Sequence, residues 1–219
     1  NPIAKVGLPM TLSFYEQLKF WQTFFNELGF ETVISDESSR EMYYLGQHTI
    51  PSDTVCYPAK LAHGHIEYLL DKGVDFIFYP CMSYNIDEGG SDNHFNCPVV
   101  AYYSELLKGN VEELSKVKFL YPYLNINNKK ELTKELYNYL AKFFDGINKA
   151  EVKAAVDFGL NEYEKYMQAV RDEGTRALDF ARKNNKRIMI LAGRPYHIDA
   201  EIGHGIDKLA NSLGFVVVS

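Results

Sequence analysis

The opening of the chain constrains the fold most, because it reads as strand, helix, strand with almost no room between the elements. Ala4-Lys5-Val6-Gly7-Leu8-Pro9 predicts a strand. Phe14, Leu18, Trp21, Phe25 and Leu28 then recur at steps of three and four, which is one face of a helix. That helix is predicted over 13–28, with Gly29 suited to its C-terminal cap. Phe30-Glu31-Thr32-Val33-Ile34-Ser35 predicts a second strand at once. A β-α-β unit implies parallel strands joined by a right-handed crossover. The fold class is therefore α/β, a Rossmann-like parallel sheet flanked by helices. The helical stripe is read as core: aromatics make up 14% of the chain, and each buried ring removes a large area from water.

Further along, a short helix is predicted over 39–45 and a longer one over 59–72, with Pro58 suited to a first helical position. A third strand over 75–79 ends at Pro80-Cys81, and a polar loop containing Gly89-Gly90 follows over 83–96. Cys97-Pro98 then leads into an apolar run at 99–102, predicted as a fourth strand. A fifth, over 118–122, is weakened by Pro122. Helices are predicted over 130–144 and from 149 to 183, the latter interrupted only at Gly159 and Gly174. The chain closes with a strand at 187–191, a turn at 193–197, a helix at 201–213 and a strand at 215–218.

These elements suggest three parts: a cysteine-bearing α/β domain over 1–148, a linking helix over 149–186, and a truncated second α/β unit over 187–219. A lone two-stranded sheet cannot bury both faces, so the last part reads as the first β-α-β unit of a second domain. With no initiator Met, the chain reads as an excised piece that is itself inactive.

Charge narrows the partners. The formal net charge is -6, against the basic stripe that a nucleic-acid surface needs. The basic run Arg182-Lys183-Asn184-Asn185-Lys186-Arg187 lies between a helix and a strand and reads as a solvated turn. No apolar run is long enough to cross a bilayer, and the first residues lack a signal-peptide pattern. Three cysteines, an odd number without a secreted-scaffold spacing, fit a reducing cytoplasmic compartment.

Those cysteines are the candidate site. Cys56 precedes a helix N-terminus, where free N–H groups and the helix dipole favour a thiolate. Cys81 follows a strand directly, at the sheet edge where ligands bind in open parallel sheets. Cys97 closes the long loop that begins after Cys81, and loops of that length are often functional. The spacing itself favours buried core cysteines, and placement at loop edges rather than inside strands brings the two readings level. If they are ligands, three thiolates suit a [4Fe–4S] cluster or a zinc ion. Lys60, His63 and His94 are candidates for the surroundings of that site, against the alternatives of an exposed lysine and a solvated histidine. Arg194 and His197, in a turn between strand and helix, could contact an anion; a structural turn is the alternative. There is no ATP-binding signature and no G-x-S-x-G elbow, so a thiol or zinc hydrolase is the weakest class.

Cys56-Tyr57-Pro58-Ala59-Lys60-Leu61-Ala62-His63-Gly64-His65, Pro80-Cys81 and Asn96-Cys97-Pro98-Val99-Val100 together resemble the CoA enzyme activase uncharacterised domain. That domain occurs in large proteins related to the 2-hydroxyacyl-CoA (2-hydroxyglutaryl-CoA) dehydratases and their activators. Gly193-Arg194-Pro195-Tyr196-His197-Ile198-Asp199 is similar to the family's second-domain opening. The resemblance implies an iron–sulfur cluster on Cys56, Cys81 and Cys97 and ATP-coupled, low-potential electron transfer. It implies ATPase activator modules of the same parent protein as partners, and an acyl-CoA or other small molecule as substrate. The alternative is a non-catalytic docking module with buried cysteines. A double cubane would need more cysteines than the three in this chain. A homodimer is also left open.

Overall fold

The computed structural model describes residues 2–90 and 92–219. Strand β1 (Lys5–Leu8), helix α1 (Phe14–Glu27) and strand β2 (Glu31–Ile34) form the opening unit, with β1 and β2 parallel from Lys5 opposite Glu31 to Leu8 opposite Ile34. α1 stops in a Schellman-type turn. Gly29 takes φ +84°, and the amides of Gly29 and Phe30 donate to the carbonyls of Asn26 and Phe25 at 2.9 and 3.0 Å. The aromatic face of α1 lies on the sheet: Trp21 and Phe25 sit 4.8 and 4.9 Å from the ring of Phe78.

Helices α2 (Arg40–Gly46) and α3 (Tyr57–Asp71) come next, then strand β3 (Phe76–Phe78), helix α4 (Pro98–Asn110) and strand β4 (Lys118–Leu120). The four strands are parallel in the order β2-β1-β3-β4. The chain moves to one side of β1 and then to the other. The crevice between the carboxyl ends of β1 and β3 is therefore a topological switch point, where open α/β sheets bind ligands. No helix among the described residues is long and apolar enough to cross a membrane.

The structure corrects one element outright: residues 99–102 are not a strand but the first turns of α4. Pro98 occupies the first turn, and Val100, Ala101, Tyr103, Ser104 and Leu107 are buried at helical spacing. A short apolar run has no period of its own, and the stripe becomes visible only when carried on to Leu107. The final helix is also shorter than 201–213. Residues 200–205 form turns, Gly205 at φ +68° precedes the helix, and α7 spans Ile206–Ser212. Asp199 caps those turns rather than α7, its Oδ1 accepting from the amides of Glu201 and Ile202 at 2.9 Å.

Helix α5 (Lys129–Leu140) leads to α6 (Lys149–Lys183), which runs unbroken through Gly159 and Gly174. At Gly159 the reason is packing on α1, where an added Cβ would lie 2.9 Å from the Phe20 ring. Val152, Ala155, Val156 and Tyr163 bury the first half of α6, whereas Val170 and Phe180 of the second half are exposed. Beyond it, β5 (Arg187–Ile190) and β6 (Phe215–Val218) form a separate parallel pair.

α2 and α3 cross with their backbones in contact. A Cβ at Gly64 would overlap the carbonyl oxygen of Met42, and one at Gly46 would overlap the backbone of His63 and Gly64. Gly64→Ala is expected to lower stability by about 3 kcal/mol, the upper range for overpacking, because backbone cannot give way. Gly174 has open space around it. Gly174→Ala is expected to raise stability by roughly 0.5–1 kcal/mol through helix propensity. Urea denaturation of the two variants checks both signs.

Candidate functional site

Two of the three cysteines occupy equivalent backbone positions. Cys56 is the N-cap of α3 at φ -63°, ψ 150°, and Cys97 is the N-cap of α4 at φ -63°, ψ 152°. Each is followed by a proline in the first turn, Pro58 or Pro98, which lacks the N–H a helix start leaves unused. The Cys97 sulfur accepts from the amide of Val100 at 3.4 Å, as a serine cap would. Cys56 is exposed and makes no such bond. Sulfur at a helix N-terminus meets the positive end of the dipole, which stabilises the thiolate.

Cys81 is placed differently. It is 1% exposed, and its backbone continues the sheet past β3: its amide donates to Pro122 at 2.9 Å and its carbonyl accepts from Leu124 at 3.0 Å. Burial pushes its thiol pKa up, while hydrogen bonds with Ser104 and Tyr123 oppose the rise. Ser104 lies seven residues along α4 from Cys97, about 10 Å at 1.5 Å per residue. Cys81 therefore lies against the flank of α4, whereas Cys97 sits at its tip.

Between the cysteines stand three buried tyrosines that sequence reasoning did not single out as site residues: Tyr79, Tyr103 and Tyr196. Burial raises each phenol. Tyr196 also feels Cys97 and Cys56, Tyr103 feels Cys56, and Tyr79 feels Cys81 and, more weakly, Cys97. The Tyr79 hydroxyl is buried with no hydrogen-bond partner among the described residues. Tyr79 could have been found from its place between a predicted strand and Pro80-Cys81. Tyr103 was hidden by the misread helix, and Tyr196 was seen only as part of a turn.

His63 is buried behind this group rather than facing solvent. Thr49 spends its hydroxyl proton on the carbonyl of Gly46 at 2.9 Å. His63 Nδ1–H must therefore donate to Thr49 Oγ1 at 2.7 Å, which leaves Nε2 to accept from the Tyr103 hydroxyl at 3.0 Å. Lys60 folds back instead, donating to the carbonyl of Asp53 at 2.9 Å and tying down the segment before Cys56.

His94 lies 3.4 Å from Asp87 and, with Arg194, lines a cavity of about 260 Å³ beside Asn96. His197 builds its own turn, with Nδ1 accepting from the Arg194 amide at 2.9 Å. An added Cβ at Gly193 would collide with that ring, which explains the glycine. The residues after that turn dock beside Cys56, because Tyr57 donates to Glu201 at 2.8 Å and stacks 6.4 Å from His204.

Among the described residues, no three His, Cys, Asp or Glu side chains converge to hold a single metal ion. The donor chemistry at Cys56 and Cys97 suits a soft-metal cluster. Cys81 would join them only against the burial that raises its thiol pKa. The profile of the CoA enzyme activase uncharacterised domain matches residues 5–219. No curated protein and no solved structure is detectably similar to the chain.

A disulfide-exchange reagent should modify Cys56 first and Cys81 last, since Cys56 is exposed while Cys81 is buried with its thiol pKa raised. Peptide mapping after timed labelling checks the order. Burial lowers the pKa of His63 and His65 to about 4, with His48 adding a smaller push on His63. Both bind protons more readily in the unfolded chain, whose value is 6.5. Their contribution is complete above pH 6.5 and is lost as pH falls towards 4, by about 3 kcal/mol for each histidine. Urea midpoints measured across that interval should fall accordingly.

Proposed function

Because the chain belongs to the CoA enzyme activase uncharacterised domain family, we propose that it is the cluster-bearing part of an activator-related protein of the 2-hydroxyacyl-CoA dehydratase group. Cys56 and Cys97, joined by Cys81, hold an iron–sulfur cluster of the [4Fe–4S] type. The observation that carries this reading is the pair of matched N-caps: two cysteines with the same backbone angles, each backed by proline, both acting on the buried phenol of Tyr196. When bound, the cluster supplies a one-electron carrier of low potential.

The chain's own residues prepare thiolates and keep water away. The α3 and α4 N-termini offset the charge of the two sulfurs. Pro58 and Pro98 fix the backbone, so little ordering cost remains when a ligand binds. Tyr196 is buried near Cys56 and Cys97, and Tyr79 near Cys81, so rings rather than solvent lie beside the sulfurs. His63 holds the Tyr103 hydroxyl proton, leaving the phenol oxygen to face Cys56. ATPase activator modules of the parent protein are the proposed electron source, and an acyl-CoA or another small molecule is the proposed substrate. One observation favours the second reading, a docking module with structural cysteines: Cys81 is 1% exposed, and burial disfavours its thiolate.

Anaerobic reconstitution with iron and sulfide, followed by visible spectroscopy and iron analysis, separates the two readings. The expected result is a brown protein near four irons per chain. Cys56→Ser and Cys97→Ser should each lose most of the iron, and Cys81→Ser should lose it with little change in the free protein's surface reactivity. A colourless, iron-free product, or a Cys81→Ser variant that holds iron like the parent, sinks the three-cysteine ligand set.

A further inference from the structure

We propose that the cavity between the β3–α4 loop and the Pro195–Ile198 turn binds a neutral α-amino acid, with its carboxylate on Arg194 and its ammonium group on Glu88. The reading is independent of the cluster. The cavity measures about 260 Å³, below the usual range for cofactor-sized ligands, which suits a small one.

Its loop wall is preformed. The Asn85 amide donates to the His94 carbonyl at 2.8 Å, the Asn96 amide donates to the Ser83 carbonyl at 2.9 Å, and the Tyr84 and Phe95 rings pack at 4.5 Å. Side chains hold this wall from outside. Asn127 accepts from the Asp87 amide and donates to the Asn85 carbonyl, at 2.8 and 2.5 Å. Asn85 in turn donates to Glu16 at 2.7 Å and accepts from Gln17 at 3.2 Å, which fastens the loop to α1.

Into this frame the loop brings Glu88 and the turn brings Arg194. His94, also on the wall, is committed to Asp87. Neither Glu88 nor Arg194 forms an ion pair among the described residues. A simple anion on Arg194 would face the Glu88 carboxylate, and a simple cation would face the guanidinium. A small zwitterion pairs with both, and the planar guanidinium fork matches a carboxylate in two parallel hydrogen bonds. Ile86 and Phe95 supply the apolar wall for an uncharged side chain.

The test is calorimetric titration of the metal-free protein with L-alanine, L-leucine and L-glutamine. The deletion analogues of leucine, isocaproate and isoamylamine, serve as controls. At least one amino acid should bind, and each analogue should bind at least about tenfold more weakly than L-leucine where leucine is the ligand, the loss of one charge-assisted contact. Arg194→Gln and Glu88→Gln should each weaken the amino acid by about tenfold, and Glu88→Gln should strengthen isocaproate, which no longer faces a carboxylate. Both residues are exposed, so unchanged melting temperatures keep these variants interpretable. No heat from any of the three amino acids, isocaproate binding as tightly as L-leucine, or full affinity in either variant overturns the proposal. Because no metal is present, a failed cluster reconstitution does not affect this result, and a failed titration does not affect the cluster.

Discussion

The contact on which the rest of the molecule depends is the aromatic face of α1 against the middle of the parallel sheet. Trp21 and Phe25 pack on Phe78 of β3, Phe25 reaches Phe76, and Phe14 meets Tyr79 edge-on at 5.5 Å. A parallel sheet cannot leave its faces wet, so this covering is a condition of its existence. It also fixes where the site lies. With α1 locked on β3, the residues after β3, from Tyr79 to the turn at Cys97, stand at the carboxyl edge next to the loop after β1.

The α1 face is continuous with a polar chain that leads outward. Trp21 donates to Gln17 at 3.3 Å, Gln17 donates to Asn85, and Asn85 donates to Glu16. Burial raises the Glu16 carboxyl, the Asn85 hydrogen bond opposes that rise, and Glu88 adds to it. One helix therefore supports the core with one side and the β3–α4 loop with its first turn. The loop is held by hydrogen bonds because it carries little apolar surface of its own.

At the sheet edge, electrostatics and packing divide the cysteines. Cys56 and Cys97 stand where helix dipoles favour a negative sulfur, and Cys81 stands where burial disfavours one. A ligand set that includes all three must reconcile these environments. Tyr196, arriving from more than ninety residues downstream of Cys97, is buried within electrostatic reach of both Cys97 and Cys56 and ties the last part of the chain to the first. The bond from Tyr57 to Glu201 makes the same connection at the surface.

The sequence by itself determined the elements whose signal is local. The three- and four-residue aromatic steps in α1, the Gly29 stop, the Pro58 start and the alternation of strands with helices define a parallel α/β sheet through periodicity and backbone restriction alone. It also brought out Cys56, Cys81 and Cys97, because each sits at an element boundary marked by proline. Only the tertiary structure decided the rest. Residues 99–102 became helix because their apolar partners lie further along, at Tyr103 and Leu107, and a four-residue window holds no period. Cys81 was placed on the flank of α4 and Cys97 at its tip, His63 was turned inward to Tyr103, and Arg194 was brought to the cavity that Glu88 also lines. Those relations join residues distant in the chain, and no local pattern encodes them; they follow from how α1, α3 and α4 must pack to keep the sheet dry.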